Sequence, residues 1–149
     1  MWVVVVLTYG GIFGWCILFD VRYGSEQRLA TWWVARARRW GSWTGLLSFL
    51  FSTAALVLYC LLAFGLGSLA APFDRPLVTL LLTVPAMLLY APLTFAVIPT
   101  EYGSYSSWQE KLRSAGAGKV EQRRIAWWAG PPSILGLGAL ALTPVVILT

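Results

Sequence analysis

Few side chains of this chain belong to types that catalyse reactions or bind metals. The 149-residue sequence has no histidine, which excludes bis-histidine haem ligation, histidine zinc sites and histidine general bases. Three carboxylates, Glu101, Glu110 and Glu121, lie in one basic segment, where surface ion pairs are their common role. We therefore predict that the protein is not an enzyme and that it binds no metal or cofactor.

The two cysteines are the remaining candidates for redox chemistry. Cys16 lies about one turn before the end of the first apolar stretch, and Cys60 lies about 24 Å along the second at 1.5 Å per helical residue. A disulfide needs Cα atoms within about 7 Å of each other, so we expect no bond between the two. Both are interpreted as small, buried apolar side chains.

Four long apolar stretches make up most of the chain. They contain no Asp, Glu, Lys or Arg and cover residues 2–19, 44–71, 77–98 and 133–148. Stretches of roughly 16 to 28 residues suit helices that cross a hydrocarbon core of about 30 Å, rather than the strands of about 10 residues in a membrane barrel. We predict an all-α integral membrane protein in which residues 1–149 form one domain with four transmembrane helices. The second stretch is longer than such a core requires, so we expect it to tilt or to end near Gly65 to Gly67.

Composition supports membrane placement. The chain is 58% hydrophobic and 11% charged, against about 25% charged in soluble domains. The net charge of +5 is concentrated beside the ends of the apolar stretches, which favours membrane orientation and acidic headgroups over nucleic acid as its explanation. We expect other membrane subunits and anionic phospholipid as partners, and no nucleic acid.

The basic residues predict an orientation. Ten of the eleven fall in the two alternate loops between apolar stretches: Arg22, Arg28, Arg36, Arg38 and Arg39 in the first, and Lys111, Arg113, Lys119, Arg123 and Arg124 in the second. Positive residues favour the cytoplasm, or the matrix of a mitochondrion. We therefore expect the long loops inside and both termini outside, in a bacterial cytoplasmic membrane or a mitochondrial inner membrane.

Aromatic and basic side chains near this inner boundary predict lipid contacts. Indole rings favour the headgroup layer, and the expected anchors are Trp32, Trp33, Trp40, Trp127 and Trp128. Fixed positive charge attracts acidic headgroups, and the candidates for that contact are Arg36, Arg38, Arg39, Arg123 and Arg124.

Both inner loops are expected to hold short interfacial helices. In the first, Ser25 is a suitable N-cap, and Leu29, Trp33 and Trp40 share one side. In the second, residues 107–110 match the capping box, residues 114–118 break the helix, and a second piece covers residues 119–128. Residues 130–132 read GPP, where proline suits the first turn of the last transmembrane helix.

The two loops also resemble each other. Residues 26–33 read EQRLATWW and residues 121–128 read EQRRIAWW, and each copy follows a Tyr-Gly-Ser, at 23–25 and at 102–104. A helical hairpin duplicated in parallel would produce this pattern, with halves 1–71 and 72–149 related by an axis near the membrane normal. The alternative is that Arg and paired Trp recur at any inner boundary.

Prolines and small residues indicate how the helices pack. Pro85, Pro92 and Pro99 are spaced by seven and share a face of the third helix. The carbonyls that lose their helical partners belong to Leu81, Leu88 and Phe95. We favour a packing role, with neighbouring helices or threonines satisfying these carbonyls, over a transporter hinge.

The glycines expected to allow close helix approach are Gly10, Gly14, Gly67 and Gly136.

These features favour an accessory, non-catalytic subunit of a larger membrane complex, such as a respiratory or other energy-transducing assembly. The alternative is a small transporter or channel formed by oligomerisation and lined by polar side chains: Ser48, Ser52, Thr53, Tyr59, Thr83, Tyr90 and Thr94. A third class, an enzyme acting on lipid, would need its chemistry from Tyr, Ser and the loop carboxylates.

Overall fold

The computed structural model describes residues 2–70, 72, 75–97 and 106–148, without the side chains of residues 95–97, 106 and 107. This part of the chain is 95% helical and contains no strand. The helices are α1 (Trp2–Tyr23), α2 (Ser25–Trp40), α3 (Thr44–Ala70), α4 (Pro76–Val97), α5 (Ser106–Ser114) and α6 (Lys119–Leu148). A 3₁₀ turn, Gly41–Trp43, joins α2 to α3.

The four apolar stretches each lie in a helix that is long and apolar enough to cross a membrane, namely α1, α3, α4 and α6. This confirms the all-α prediction and the number of candidate spans. The predicted ends at Ala71 and Ile98 lie outside the described residues.

The second apolar stretch does not end near Gly65 to Gly67, because α3 continues to Ala70, and the alternative that this helix tilts stays a prediction. Glycine inside a helix costs about 1 kcal/mol relative to alanine. Opening the helix within an apolar stretch would leave backbone N–H and C=O groups without partners, which costs more. The Ser68 hydroxyl also donates to the Phe64 carbonyl at 2.9 Å within this turn.

The expected break before the last span is also absent. α6 runs without interruption from the basic segment through Pro131 and Pro132 to Leu148. Proline has a φ close to the helical value, so two adjacent prolines are compatible with a continuous helix, at the cost of two hydrogen bonds and of crowding in the preceding turn. The second loop therefore extends the last span as one helix of 30 residues.

The start of α2 differs from the sequence expectation too. Its N-cap is Gly24, which has a φ of 56°, and Ser25 is already helical. The carboxylate of Asp20, on the last turn of α1, accepts the Ser25 hydroxyl at 3.1 Å and the Glu26 N–H at 2.9 Å. An acidic side chain from the preceding helix thus satisfies donors that an N-cap side chain usually binds.

Between α5 and α6 the chain reverses through a Schellman motif. The Gly116 N–H donates to the Arg113 carbonyl at 2.9 Å, and the Ala117 N–H donates to the Leu112 carbonyl at 2.9 Å. Gly116 has a φ of 91°, which a residue with a Cβ rarely adopts. Leu112 and Ala117 are both buried, so the turn carries its usual apolar contact.

Three helices, α3, α4 and α6, pack against one another, and α1 packs mainly on α4. In the centre, the rings of Tyr59 and Tyr90 stack 4.7 Å apart, beside the buried Met87 and Leu140. Of the residues of α1, Val5 and Ile12 are buried. The bundle is therefore a three-helix core with α1 on its side.

The two basic loops meet at one end of this bundle. One buried cluster joins α2, α5 and the first turns of α6 through Trp33, Trp108, Leu112 and Ile125. Lys111 on α5 forms an ion pair with Glu26 on α2. We call this assembly of α2, α5 and the start of α6 the basic layer.

Candidate functional site

The five predicted headgroup arginines divide into two groups in the basic layer. On α2, the Arg36 guanidinium lies over the rings of Trp32 and Trp40, at 5.2 and 5.5 Å from their centroids. Arg38 donates to the Gly116 carbonyl at 3.2 Å. Arg39 is exposed. Two of the three α2 arginines are therefore already engaged by their own chain.

The second group lies on α6 and lines one groove. Lys119, Arg123 and Arg124 share an open cavity of about 600 Å³ with Val120, Trp127 and Trp128, and we call it the basic groove. Among the described residues, none of these three cations forms an ion pair. Unpaired positive charge beside exposed indoles is the arrangement that binds an acidic headgroup.

One wall of the basic groove is fixed by α3. The ring of Trp128 stands edge-on to Phe49, with centroids 6.3 Å apart. It also lies against Gly45, where an added Cβ would be 2.6 Å from Trp128 Cδ1. The sequence analysis did not select Gly45. Its spacing of four from Gly41, beside the tryptophan-rich boundary, could have identified it as a packing glycine.

The tryptophans predicted as anchors have different environments. Trp33 is 4% exposed within the basic layer and packs there against its own chain, and Trp40 is half-buried beside the same cluster. Trp32, Trp127 and Trp128 are 39, 65 and 47% exposed. These three therefore have exposed indole surface.

The predicted packing glycines also differ. A Cβ added at Gly136 would lie 2.8 Å from Tyr90 Cζ and 3.1 Å from Thr94 Cγ2, so this glycine permits close contact between α6 and α4. At Gly67 the nearest atom is Thr79 Cγ2, at an ordinary 3.9 Å. A Cβ added at Gly10 or Gly14 would have no described atom within 4 Å outside its own stretch of helix.

Most of the polar side chains considered as a channel lining bond within the chain. Ser48 donates to the Ile125 carbonyl at 3.0 Å, and the hydroxyls of Tyr59 and Thr143 lie 2.7 Å apart. Thr83 and Thr94 donate to carbonyls one turn earlier in α4. The Ser48 bond ties α3 to the start of α6 in the basic layer, and the hydroxyls of Thr83 and Thr94 are buried.

The other three members of that set are Ser52, Thr53 and Tyr90, and two of them line a small cavity. Ser52 and Tyr90 line a cavity of about 20 Å³, the size of one water molecule, together with Trp108. The Trp108 Nε1–H and the Thr53 hydroxyl are buried without a hydrogen-bond partner among the described residues.

The proline-freed carbonyls show how α1 is attached. Pro92 removes the N–H that would bind the Leu88 carbonyl, and the indole of Trp15 on α1 donates to that oxygen at 3.1 Å. The Tyr9 hydroxyl of α1 donates to the Ala141 carbonyl of α6. Pro99 lies outside the described residues, as does the Phe95 side chain.

Both copies of the repeated motif are helical, near the starts of α2 and α6. The equivalent residues Ala30 and Ile125 are buried in the same cluster. The Tyr-Gly-Ser at 102–104 lies outside the described residues, and the symmetry of the two halves stays a prediction.

The described carboxylates of the basic layer bond locally. Glu110 pairs with Arg113 at 3.0 Å, and Glu121 accepts the Gly118 N–H at 2.9 Å as the reciprocal half of a capping box. Glu101 lies outside the described residues.

The cysteines and carboxylates of the described chain form no group suited to a metal ion. Cys16 and Cys60 are both free thiols, and no three Cys, Asp or Glu side chains of this part of the chain lie together. The expected burial of both cysteines is wrong, because Cys16 is half-buried and Cys60 is exposed on the outside of the bundle. In comparisons with known proteins, no family model, curated protein sequence or solved structure matches this chain.

Proposed function

We propose that the protein is an accessory, non-catalytic subunit of a larger membrane complex and that α1 is the helix through which it docks. The observation that carries this proposal is the packing of α1. Of its 22 residues, Val5 and Ile12 are buried in the chain. On the opposite face, Gly10 and Gly14 have no described neighbour within 4 Å of an added Cβ. A glycine pair at this spacing favours close approach of another helix.

The orientation of this open face is fixed. Tyr9 and Trp15 donate hydrogen bonds to carbonyls of α6 and α4, which sets the rotation and the depth of α1 against the core. A bundle that fixes a loosely packed helix in one rotation presents a defined surface, as a docking helix requires. Exposed aliphatic residues continue that surface: Val3, Val6, Leu7, Ile17 and Val21.

We further propose that the four long helices span a bacterial cytoplasmic or mitochondrial inner membrane, with the basic layer facing the cytoplasm or matrix. Support comes from the two loops that hold ten of the eleven basic residues, since α2, α5 and the start of α6 pack together at one end. Anionic phospholipid at that end is part of the proposal. An energy-transducing complex is the proposed setting.

The test is co-purification of the tagged chain from its native membrane in mild detergent. The double variant Gly10→Leu/Gly14→Leu should lose foreign subunits that the wild type retains in fixed ratio, because leucine blocks close helix approach. Its melting temperature should change little, since a Cβ added at either glycine meets no described atom outside its own stretch of α1.

Gly138→Leu is the matched control, since it places the same bulk at another open glycine, on α6. It should retain the foreign subunits. Isolation of the wild type as a homo-oligomer that transports a solute in liposomes would instead establish the transporter alternative.

A further inference from the structure

We propose that one anionic phospholipid lies lengthwise on the exposed face of α6, with its phosphate in the basic groove and its acyl chains on the apolar part of the helix. This inference rests on the proposed membrane placement and goes beyond it by assigning one site and its headgroup selectivity. From the sequence alone, five arginines on two loops are candidates for the headgroup contact. The structure assigns the site to α6 alone.

The first argument is the arrangement of one continuous face. At 3.6 residues per turn, the exposed side chains of α6 fall on one side. In chain order this face presents cations, then indoles, then aliphatic side chains: Lys119, Arg123, the half-buried Arg124, Trp127, Trp128, Ile134, Leu135, Leu142. The opposite side is buried in the bundle, through residues such as Ile125, Ala129, Gly136 and Leu140. The outer face therefore has the polarity order of a phospholipid.

The second argument is length. Arg123 and Gly138 are separated by 15 residues, or about 22 Å along the helix at 1.5 Å per residue. A bilayer of about 40 to 45 Å, headgroups included, gives each leaflet about that thickness. Gly138 is exposed and has no described atom within 4 Å of an added Cβ, so the face stays open at the acyl level.

The third argument is unpaired charge. The Glu121 carboxylate, on the same turn as the groove, accepts the Gly118 N–H and does not pair with a groove cation. On α2, by contrast, Arg36 stacks on two indoles and Arg38 bonds to Gly116. The groove thus retains three cations for an external phosphate. Such charge next to apolar surface selects an acidic amphiphile.

The fourth argument is rigidity. Gly45 and Phe49 of α3 hold the Trp128 ring in place from behind. A fixed indole between the cations and the aliphatic surface loses little conformational freedom when lipid binds. It also matches the headgroup–acyl boundary that indoles prefer.

The experiment is a lipid titration of the purified full chain in mild detergent, followed by native mass spectrometry. Dioleoyl phosphatidylglycerol is the acidic probe, and dioleoyl phosphatidylcholine, which has the same acyl chains, is the zwitterionic comparison. We expect one tightly bound phosphatidylglycerol. Arg123→Gln/Arg124→Gln should weaken that binding by roughly 10- to 30-fold, since each basic side chain near an acidic lipid contributes about fivefold.

The matched control is Arg28→Gln/Arg39→Gln, which removes the same charge from two exposed positions on α2. It should leave the phosphatidylglycerol affinity within about twofold, because neither residue lines the basic groove. Single Arg123→Gln, at an exposed position, gives the same readout if the double variant does not fold.

Three results would overturn the site. Phosphatidylcholine bound as tightly as phosphatidylglycerol would remove headgroup selection. Equal losses in the α6 and α2 double variants would reduce the effect to net charge. Displacement by glycerol phosphate at equal concentration would indicate a soluble-anion site. These readouts use the isolated chain, so they stand apart from the co-purification test of subunit docking.

Discussion

At the scale of single residues, glycines of the same helix have unlike roles. Gly136 faces α4, and a Cβ there would collide with the ring of Tyr90. Gly138, two residues later, is exposed and has no described atom within 4 Å of an added Cβ. A sequence motif of small residues would not distinguish these two glycines. The direction that each position faces decides whether the glycine is needed.

We expect Gly136→Ala to lower the free energy of unfolding by about 1 to 3 kcal/mol, the usual cost of overpacking a tight contact. Gly138→Ala should be neutral or slightly stabilising, because alanine favours the helix and meets no described neighbour. Thermal unfolding in detergent, followed by circular dichroism, measures both. Equal melting temperatures for the two variants would mean that the Gly136–Tyr90 contact is not tight.

At the scale of helices, a proline in one helix provides the attachment point for another. Pro92 frees the Leu88 carbonyl, and Trp15 of α1 donates to it at 3.1 Å. In an apolar environment a carbonyl without a partner is costly, so the proline and the tryptophan should be energetically coupled. Few apolar contacts hold α1, which makes such polar contacts important for its position.

A double-mutant cycle tests this coupling. Trp15→Phe keeps an aromatic ring but removes the donor, and we expect it to destabilise the protein by about 1 kcal/mol. In a Pro92→Ala background the cost should shrink, because the backbone N–H restored at position 92 can bind the Leu88 carbonyl within α4. Unfolding free energies of the four proteins give the coupling. Additive effects would show that the indole acts through packing alone.

At the scale of the whole molecule, two segments distant in sequence form one surface. α2 and α5 are joined by the Glu26–Lys111 ion pair and by the buried apolar cluster that contains Trp33 and Trp108. The same layer extends into the first turns of α6, which carry the basic groove. One end of the bundle therefore carries most of the charge of the chain.

Cysteine labelling tests which side of the membrane this end faces. In a Cys16→Ala/Cys60→Ala background, Ser114→Cys in the basic layer should react with a membrane-impermeant maleimide only from the cytoplasmic or matrix side. Ser68→Cys, exposed near the far end of α3, should react only from the other side. Reaction of Ser114→Cys from outside would reverse the topology.

The long uncharged apolar stretches determine the fold class, because stretches of that length can satisfy their backbone only as helices in an apolar environment. That argument predicts four long helices, and the structure contains them. The same argument predicts the positions of the helix ends less accurately than the number of helices. α3 passes Gly67, and α6 passes Pro132, since continuing a helix costs less than exposing its backbone groups in an apolar stretch.

Which residues form sites depends on the tertiary structure. From the sequence alone, five arginines were equivalent candidates. The fold engages Arg36 and Arg38, leaves Arg39 exposed on α2, and places Arg123 and Arg124 in an open groove. Residue type and spacing specify the charge and the face of each helix. Whether a side chain on that face is free or already bound depends on which helix packs against it, and only the tertiary arrangement of the helices decides that.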